Sequence, residues 1–400
     1  MRLIQVLHGW PPEQMGGTGL YVQALSRALV SLGHEVLVVA PGRSLRPQLK
    51  FIEDDGVRGC QLLQPPALSW TAAWRRSTGL TLWRSLLEKE RPDRVHIHHL
   101  SGMPLGLVSA TADAQIPVTL TLHDYWLPCH RGQLVDRSLD LCAGPTPTGC
   151  ARCATGRTQP RPRDQSRATH RGQAAAEAIR AADWLLSPSE DLAQRMGEMG
   201  FPTPDICPLP LVSPATPPAP QEDGPTRFLF ASSVIPTKGP QQLLQAFERL
   251  PPGPTLTIAG HAPSFDGHPD FAAQLKTAAA RNPNIQWLGP IPTVDVPALM
   301  ARHDVLVLPS IWPENSPLVV REATAAGLRV VASKHGGAAE LAPSAALVPP
   351  GDVAALTTAL EAEVARGRTR NAPQIWQTPR EHAEWLLKHH PGEDEPHMRD

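Results

Sequence analysis

The first forty residues, MRLIQVLHGWPPEQMGGTGLYVQALSRALVSLGHEVLVVA (residues 1–40), switch between two kinds of apolar pattern. Residues 3–7 are an apolar run of strand length. Residues 20–32 repeat instead at three and four, with Tyr21, Ala24, Leu25, Ala28 and Leu29 on one helical face. Gly33 can close that helix, and residues 35–40 (EVLVVA) form a second buried strand. A loop ending in GGTG, residues 16–19, lies between the first strand and the helix. Strand, glycine loop, helix and strand make one βαβ unit of a parallel sheet.

The same rhythm runs on through the chain. A helix is expected over residues 74–90, a strand over 94–98, a helix after Gly102 and a strand over 118–122. Residues 125–165 form an irregular, cysteine-bearing insertion, followed by a helix over 174–182 and a strand over 184–187. The first domain is therefore read as residues 1–208. Residues 209–226, LPLVSPATPPAPQEDGPT, are rich in proline and have no periodicity, which marks a semi-rigid linker. Strands at 228–231, 255–259, 285–288, 305–308 and 330–332 then alternate with helices at 241–249, 271–280 and 317–326. They define a second parallel domain over 227–367. The tail, 368–400, is polar except for a short helix at 381–388. The fold class is α/β, with two similar parallel domains. Ligands of such sheets bind beyond the carboxyl ends of the strands, so the loops there are searched for chemistry.

Composition removes several classes of function. The 37 basic and 38 acidic side chains nearly cancel, which excludes binding driven by bulk positive charge, and no nucleic-acid partner is expected. At 41% apolar and 19% charged the chain is not disordered. No apolar run approaches the ~18 residues that cross a bilayer, and the opening residues lack a secretory signal. A cytoplasmic location is expected, in which the six cysteines bind metal or stay reduced.

Three loops carry candidate chemistry. Gly16 and Gly17 allow close backbone approach at a helix amino terminus, which offers N–H groups to an anion; a plain tight turn is the alternative. In PENSPLVVREATAAG (313–327), Glu314 precedes a helix and Glu322 lies eight residues on. The N–H groups of Asn315, Ser316, Leu318 and Val319 can hold phosphate while the carboxylates take hydroxyls. An ordinary first-turn acid and a surface charge would explain the two glutamates equally. In SSVIPTKGP (232–240), Lys238 can set a point charge on phosphate, or be an exposed loop lysine.

Taken together and in order, these segments resemble the retaining glycosyltransferases of family four, of GT-B fold. The shared features are the Gly-Gly loop, His123 in TLHD, AADWLLSPSE (181–190), the Lys-Gly loop, the Glu-x7-Glu pair and VVASKHGGAAE (330–340). The resemblance spans most of residues 1–355. It implies two Rossmann-like domains facing a cleft and transfer of a sugar from a nucleotide-sugar donor with retained configuration, with no metal required. Gly16 and Gly17 would approach donor phosphates or acceptor, and His123 would contact the transferred sugar. Lys238 would neutralise the diphosphate, Glu314 would bind sugar hydroxyls, and Glu322 would hold the ribose. The family's arginine five residues before the lysine is Ser233 here, leaving Lys334 and Arg321 as candidate replacements.

Cys129, Cys142, Cys150 and Cys153 lie within 25 residues, and Cys150 and Cys153 form a C-x2-C pair. That pair suits two thiolates on one tetrahedral ion, so a structural Zn²⁺ is expected, with thiols or disulfides as the alternative. In HIHH (96–99) alternate residues face opposite sides of a strand, and no second ligand group is evident. The basic run Arg157, Arg161, Arg163, Arg167 and Arg171, and the group Trp74, Arg75, Arg76, Trp83 and Arg84, would meet a membrane's inner face or an anionic acceptor. A solvated face and buried Trp with snorkelling Arg are the alternatives. The expected partners are a nucleotide sugar and a sugar, lipid-linked or small-molecule acceptor, in polysaccharide or glycolipid assembly. A non-catalytic sugar-nucleotide scaffold and a nucleotide-sugar 2-epimerase are the competing functions.

Overall fold

The computed structural model describes residues 1–9, 16–54, 56–65, 77–213 and 223–391. The chain divides into two compact units, one of Met1–Gln133, Ala143–Val212 and Gln377–Asp400, the other of Leu134–Cys142 and Ser213–Trp376.

The first unit is built on β1 (Arg2–Val6), β2 (Glu35–Arg43), β3 (Gln48–Asp54), β4 (Val57–Gln64), β5 (Arg94–Ile97), β6 (Val118–Thr121), β7 (Trp184–Ser187) and β8 (Asp205–Ile206). Their order is β3-β4-β2-β1-β5-β6-β7-β8, all parallel except β3 on β4. The central strands read as apolar runs because both faces of the sheet are covered: Ile4, Val6, Val39, Val95, Ile97 and Val118 are buried. The helix Gly17–Ser31 follows β1, and the chain leaves it through Gly33 at φ +87°. The β3–β4 hairpin was not expected. Its strands, QLKFIED and VRGCQLLQ, mix charges with apolar residues as an outer antiparallel pair does.

Part of the cysteine-bearing stretch is helical. Helices span Pro147–Thr155 and Pro162–Arg180, the second starting well before residue 174. Proline in the first turn and the Asp164 carboxylate on the Arg161 N–H explain that start. Arg157 and Arg167 approach Asp164 at 3.4 and 3.8 Å. Arg171 is buried and donates to the carbonyls of Leu127 (2.8 Å) and Trp126, so it pins the loop from inside rather than facing a membrane. Trp83 is likewise fully buried, donating to Thr111 at 2.9 Å, and Arg84 beside it is exposed. Trp74, Arg75 and Arg76 lie outside the described residues. No helix among the described residues is long and apolar enough to cross a membrane.

The tail does not stand apart. Its helix Pro379–Lys388 is part of the first unit: the Tyr21 hydroxyl meets His382 Nε2 at 2.9 Å, and Trp385 stacks on Trp184 at 5.8 Å. A Thr378–Glu381 capping box fixes its start.

The second unit is a wholly parallel sheet of β9 (Arg227–Ala231), β10 (Thr255–Ala259), β11 (Ile285–Gly289), β12 (Val305–Leu308), β13 (Arg329–Ser333) and β14 (Ala346–Val348), ordered β11-β10-β9-β12-β13-β14. Alternate residues along β9 and β12 feed opposite cores: Phe228, Phe230, Val305 and Val307 on one side, Leu229, Leu306 and Leu308 on the other. Residues 134–142 also group here rather than with the surrounding insertion, and Arg137 pairs with Asp266 at 2.9 Å.

Candidate active site

In the second unit two loops meet at one carboxylate. A single 3₁₀ turn, Pro236–Lys238, follows β9. The next residue, Gly239, has φ +74°, and any side chain there would overlap the Pro309 carbonyl. After β12 the chain runs through residues 309–317 to the helix Leu318–Ala325. Gly336, at φ +76°, leaves room for that loop, since a Cβ there would lie 2.6 Å from the Glu314 nitrogen and overlap its carbonyl. The N–H of Gly337 donates to that carbonyl at 2.6 Å.

Glu314 is only 4% exposed. Its Oε1 accepts from Lys238 Nζ (2.6 Å), Ser310 Oγ (2.6 Å) and Trp312 Nε1 (3.0 Å), and Oε2 accepts from Lys238 Nζ at 2.8 Å. The ammonium also lies 5.0 Å from the Trp312 ring centre. A buried carboxylate needs such partners, and here they fix its plane in advance of any ligand. Ser310 and Trp312 were not singled out in the sequence; their offsets of four and two from Glu314 follow no regular period.

The helix Leu318–Ala325 has no side-chain cap at its start, so the first-turn N–H groups of Leu318 and Val319 are uncapped by any side chain. Asn315 is buried, and Ser316 accepts from Arg321 Nη2 at 3.1 Å. Glu322 accepts from Ser213 Oγ at 2.7 Å; burial pushes its carboxyl up from the ordinary range, and the Ser213 bond opposes that. Ser233 is exposed and brings no charge. Of its candidate replacements, Lys334 is exposed, while Arg321 is buried with its guanidinium 4.4 Å from the Trp376 ring centre.

In the first unit Gly16 and Gly17 are exposed at the start of the helix Gly17–Ser31, which also lacks a side-chain cap. His123 follows β6 and joins a polar cluster across three neighbouring strands. His98, after β5, contacts His123 Nε2 through Nδ1 at 3.1 Å and Gln5 Oε1 on β1 through Nε2 at 2.7 Å. His96 reaches Thr121 at 2.8 Å, and His99 reaches Asp124 at 3.2 Å. The HIHH run, unassigned in the sequence, is thus the scaffold behind His123.

Burial holds the His8, His96, His98 and His123 rings neutral. It pushes His8 and His123 down to about 3, and His96 and His98 well below the ordinary value near 6.5. The unfolded chain then binds more protons than the folded one between pH 6.5 and about 3, so stability rises with pH across that window. The contribution is full above pH 6.5 and is lost as pH falls toward 3. Calorimetry is expected to show the first unit melting lower at pH 5 than at pH 7, with a shallower slope in His96→Gln. A flat pH dependence would mean that these rings are not buried as neutral bases.

Residues 15–210 match the family model described as Glycosyltransferase Family 4, and residues 215–373 match that of Glycosyl transferases group 1. The chain carries both of these glycosyltransferase domains. The chain is also 27% identical to a glycogen synthase of Mycobacterium tuberculosis, covering 94% of this chain and 92% of that protein. Among solved structures it resembles sucrose-phosphate synthase from Thermosynechococcus elongatus, with TM-score 0.65, 16% identity and coverage of 96% and 94%. It also resembles Anabaena HepE in complex with UDP-glucose, with TM-score 0.59, 16% identity and coverage of 98% and 95%. The fold is GT-B.

Within the family 4 domain the zinc expectation finds no geometric support. All six cysteines are thiols, and Cys129, Cys142, Cys150 and Cys153 are half-buried. Among the described residues no group of three or more His, Cys, Asp or Glu side chains is arranged to hold a metal ion. All four lie within the family 4 match, Cys142 in the segment that groups with the second unit and Cys129, Cys150 and Cys153 in segments of the first.

Proposed function

We propose that the chain is a retaining glycosyltransferase that moves a sugar from a nucleoside diphosphate sugar to a hydroxyl of a lipid-linked or small acceptor, in surface polysaccharide or glycolipid assembly. The observation that carries this reading is the prearranged Lys238–Glu314 pair beside the uncapped start of the helix Leu318–Ala325. An ammonium and free N–H groups suit a diphosphate that gains charge as the glycosidic bond breaks. Glu314, fixed by Ser310 and Trp312, takes sugar hydroxyls, and Glu322 takes the two ribose hydroxyls.

In the reaction the bond from the anomeric carbon to the diphosphate oxygen breaks, and its electron pair stays on that oxygen. The acceptor oxygen bonds to the same face of the sugar, and its proton passes to the departing phosphate oxygen. No protein base enters. A decayed scaffold would have no use for a buried carboxylate held by three separate donors, so the geometry favours an active site over that alternative.

Thermal shift and calorimetry with UDP, UDP-glucose and other nucleotide sugars test the reading. Binding of at least one is expected, and Glu322→Ala should weaken it about ten-fold or more, because a charge-assisted hydrogen bond is worth roughly 1.5–3 kcal/mol. Unchanged affinity in that variant would remove Glu322 from the site, and no binding across the panel would overturn the function.

A further inference from the structure

Gln5 is an anomaly in its setting. It lies in the apolar run Arg2–Val6 on a central strand, and it is 2% exposed. A buried amide is costly unless it is hydrogen-bonded, and its carbonyl oxygen is engaged by His98. The contact is held by the sheet itself: β1 and β5 pair in register from Leu3 with Arg94 to Val6 with Ile97, and the His98 N–H donates to the Val6 carbonyl at 2.8 Å. β5 pairs with β6 in turn, which brings His123 alongside His98.

A neutral imidazole carries one N–H and one lone pair. A carbonyl oxygen only accepts, so the proton of His98 must sit on Nε2, facing Gln5 at 2.7 Å. Its Nδ1 is then an acceptor. The partner at 3.1 Å, His123 Nε2, must supply the proton of that bond. We infer that Gln5, acting through His98, fixes His123 as its Nε2–H tautomer, leaving the lone pair on Nδ1. Gln5 and His98 are positioning residues, since neither is placed against substrate. The inference deepens the proposed function and rests on it for its consequence: a sugar hydroxyl engaged at His123 Nδ1 must donate to the ring.

Both rings stay neutral for reasons seen in their surroundings. His96 lies 3.9 Å from the His98 ring, and His8, His96, His99 and His382 all oppose a further positive charge, with Asp124 alone favouring it on His123. No charged relay competes with the tautomer chain.

Nitrogen-15 NMR of the full chain with labelled histidine tests this without any substrate. The expected His123 signature is a protonated, pyrrole-like Nε2 and an unprotonated, pyridine-like Nδ1. Gln5→Met, which keeps the volume and removes the acceptor, should turn that single signature into a mixture of both tautomers. A His123 ring protonated on Nδ1 in the wild type would mean that the Gln5 amide presents its nitrogen to His98, and would overturn the inference. So would an unchanged single tautomer in a folded Gln5→Met variant. If that variant does not fold, the wild-type spectrum alone decides. Failure of every nucleotide sugar to bind would sink the proposed function and leave this measurement untouched.

Discussion

Replacing Lys238 with alanine is expected to lower kcat by about 10²–10³-fold, the scale seen when one preorganised donor to a developing charge is removed. Donor affinity should change far less, because the diphosphate charge that Lys238 faces is greatest in the transition state. The pair itself has a second consequence. Lys238 and Glu314 side chains are 16% and 5% exposed, so deleting the lysine strips a buried carboxylate of its cationic partner. Lys238→Ala should therefore also melt earlier, and adding Glu314→Gln should recover the melting temperature while activity stays lost. Equal loss of affinity with no loss of turnover would reduce Lys238 to a docking group. Turnover at the wild-type level would place it outside the chemistry.

The second large effect is expected at a residue with no side chain. In Gly336→Ala the φ of +76° alone costs about 1–3 kcal/mol, and the new methyl group overlaps the Glu314 backbone. The nearest atoms are main-chain, so no side chain can swing away. Either the second unit loses stability by that amount or more, or the 309–317 loop shifts and carries Glu314 with it. A displacement of ~1 Å at a reacting group is worth about 100-fold in rate. Calorimetry and a transfer assay together check this. Wild-type values for both would mean the two backbones are not in contact.

The architecture was legible in the sequence wherever burial is two-sided. Strands such as EVLVVA and VLVL are continuous apolar runs because helices cover both faces, and the glycine loops between them stand out. The β3–β4 hairpin did carry a signal that went unread, the dipeptide Asp55-Gly56 between QLKFIED and VRGCQLLQ, while neither strand alternates cleanly. The site was legible one residue at a time and not as a constellation. Lys238 and Glu314 are 76 positions apart, and nothing local says that they bond. Ser310 and Trp312 act through a loop, which has no period to reveal them. Gln5 did carry a signal, a lone amide inside an apolar strand.

The return of residues 377–391 to the first unit bears on how the molecule is made. Tyr21 waits for His382 across 361 positions. At roughly 5–20 residues per second of synthesis, that is about 20–70 s on the ribosome. The half of the chain that is translated first is thus the last to be complete. The second unit has all of its strands outside the exit tunnel sooner, and can close while the first still lacks its final helix. A stop codon just after residue 376 would leave that second unit whole and Tyr21, Trp184 and their neighbours without the final helix, so premature termination there yields a nascent chain open to capture by chaperones.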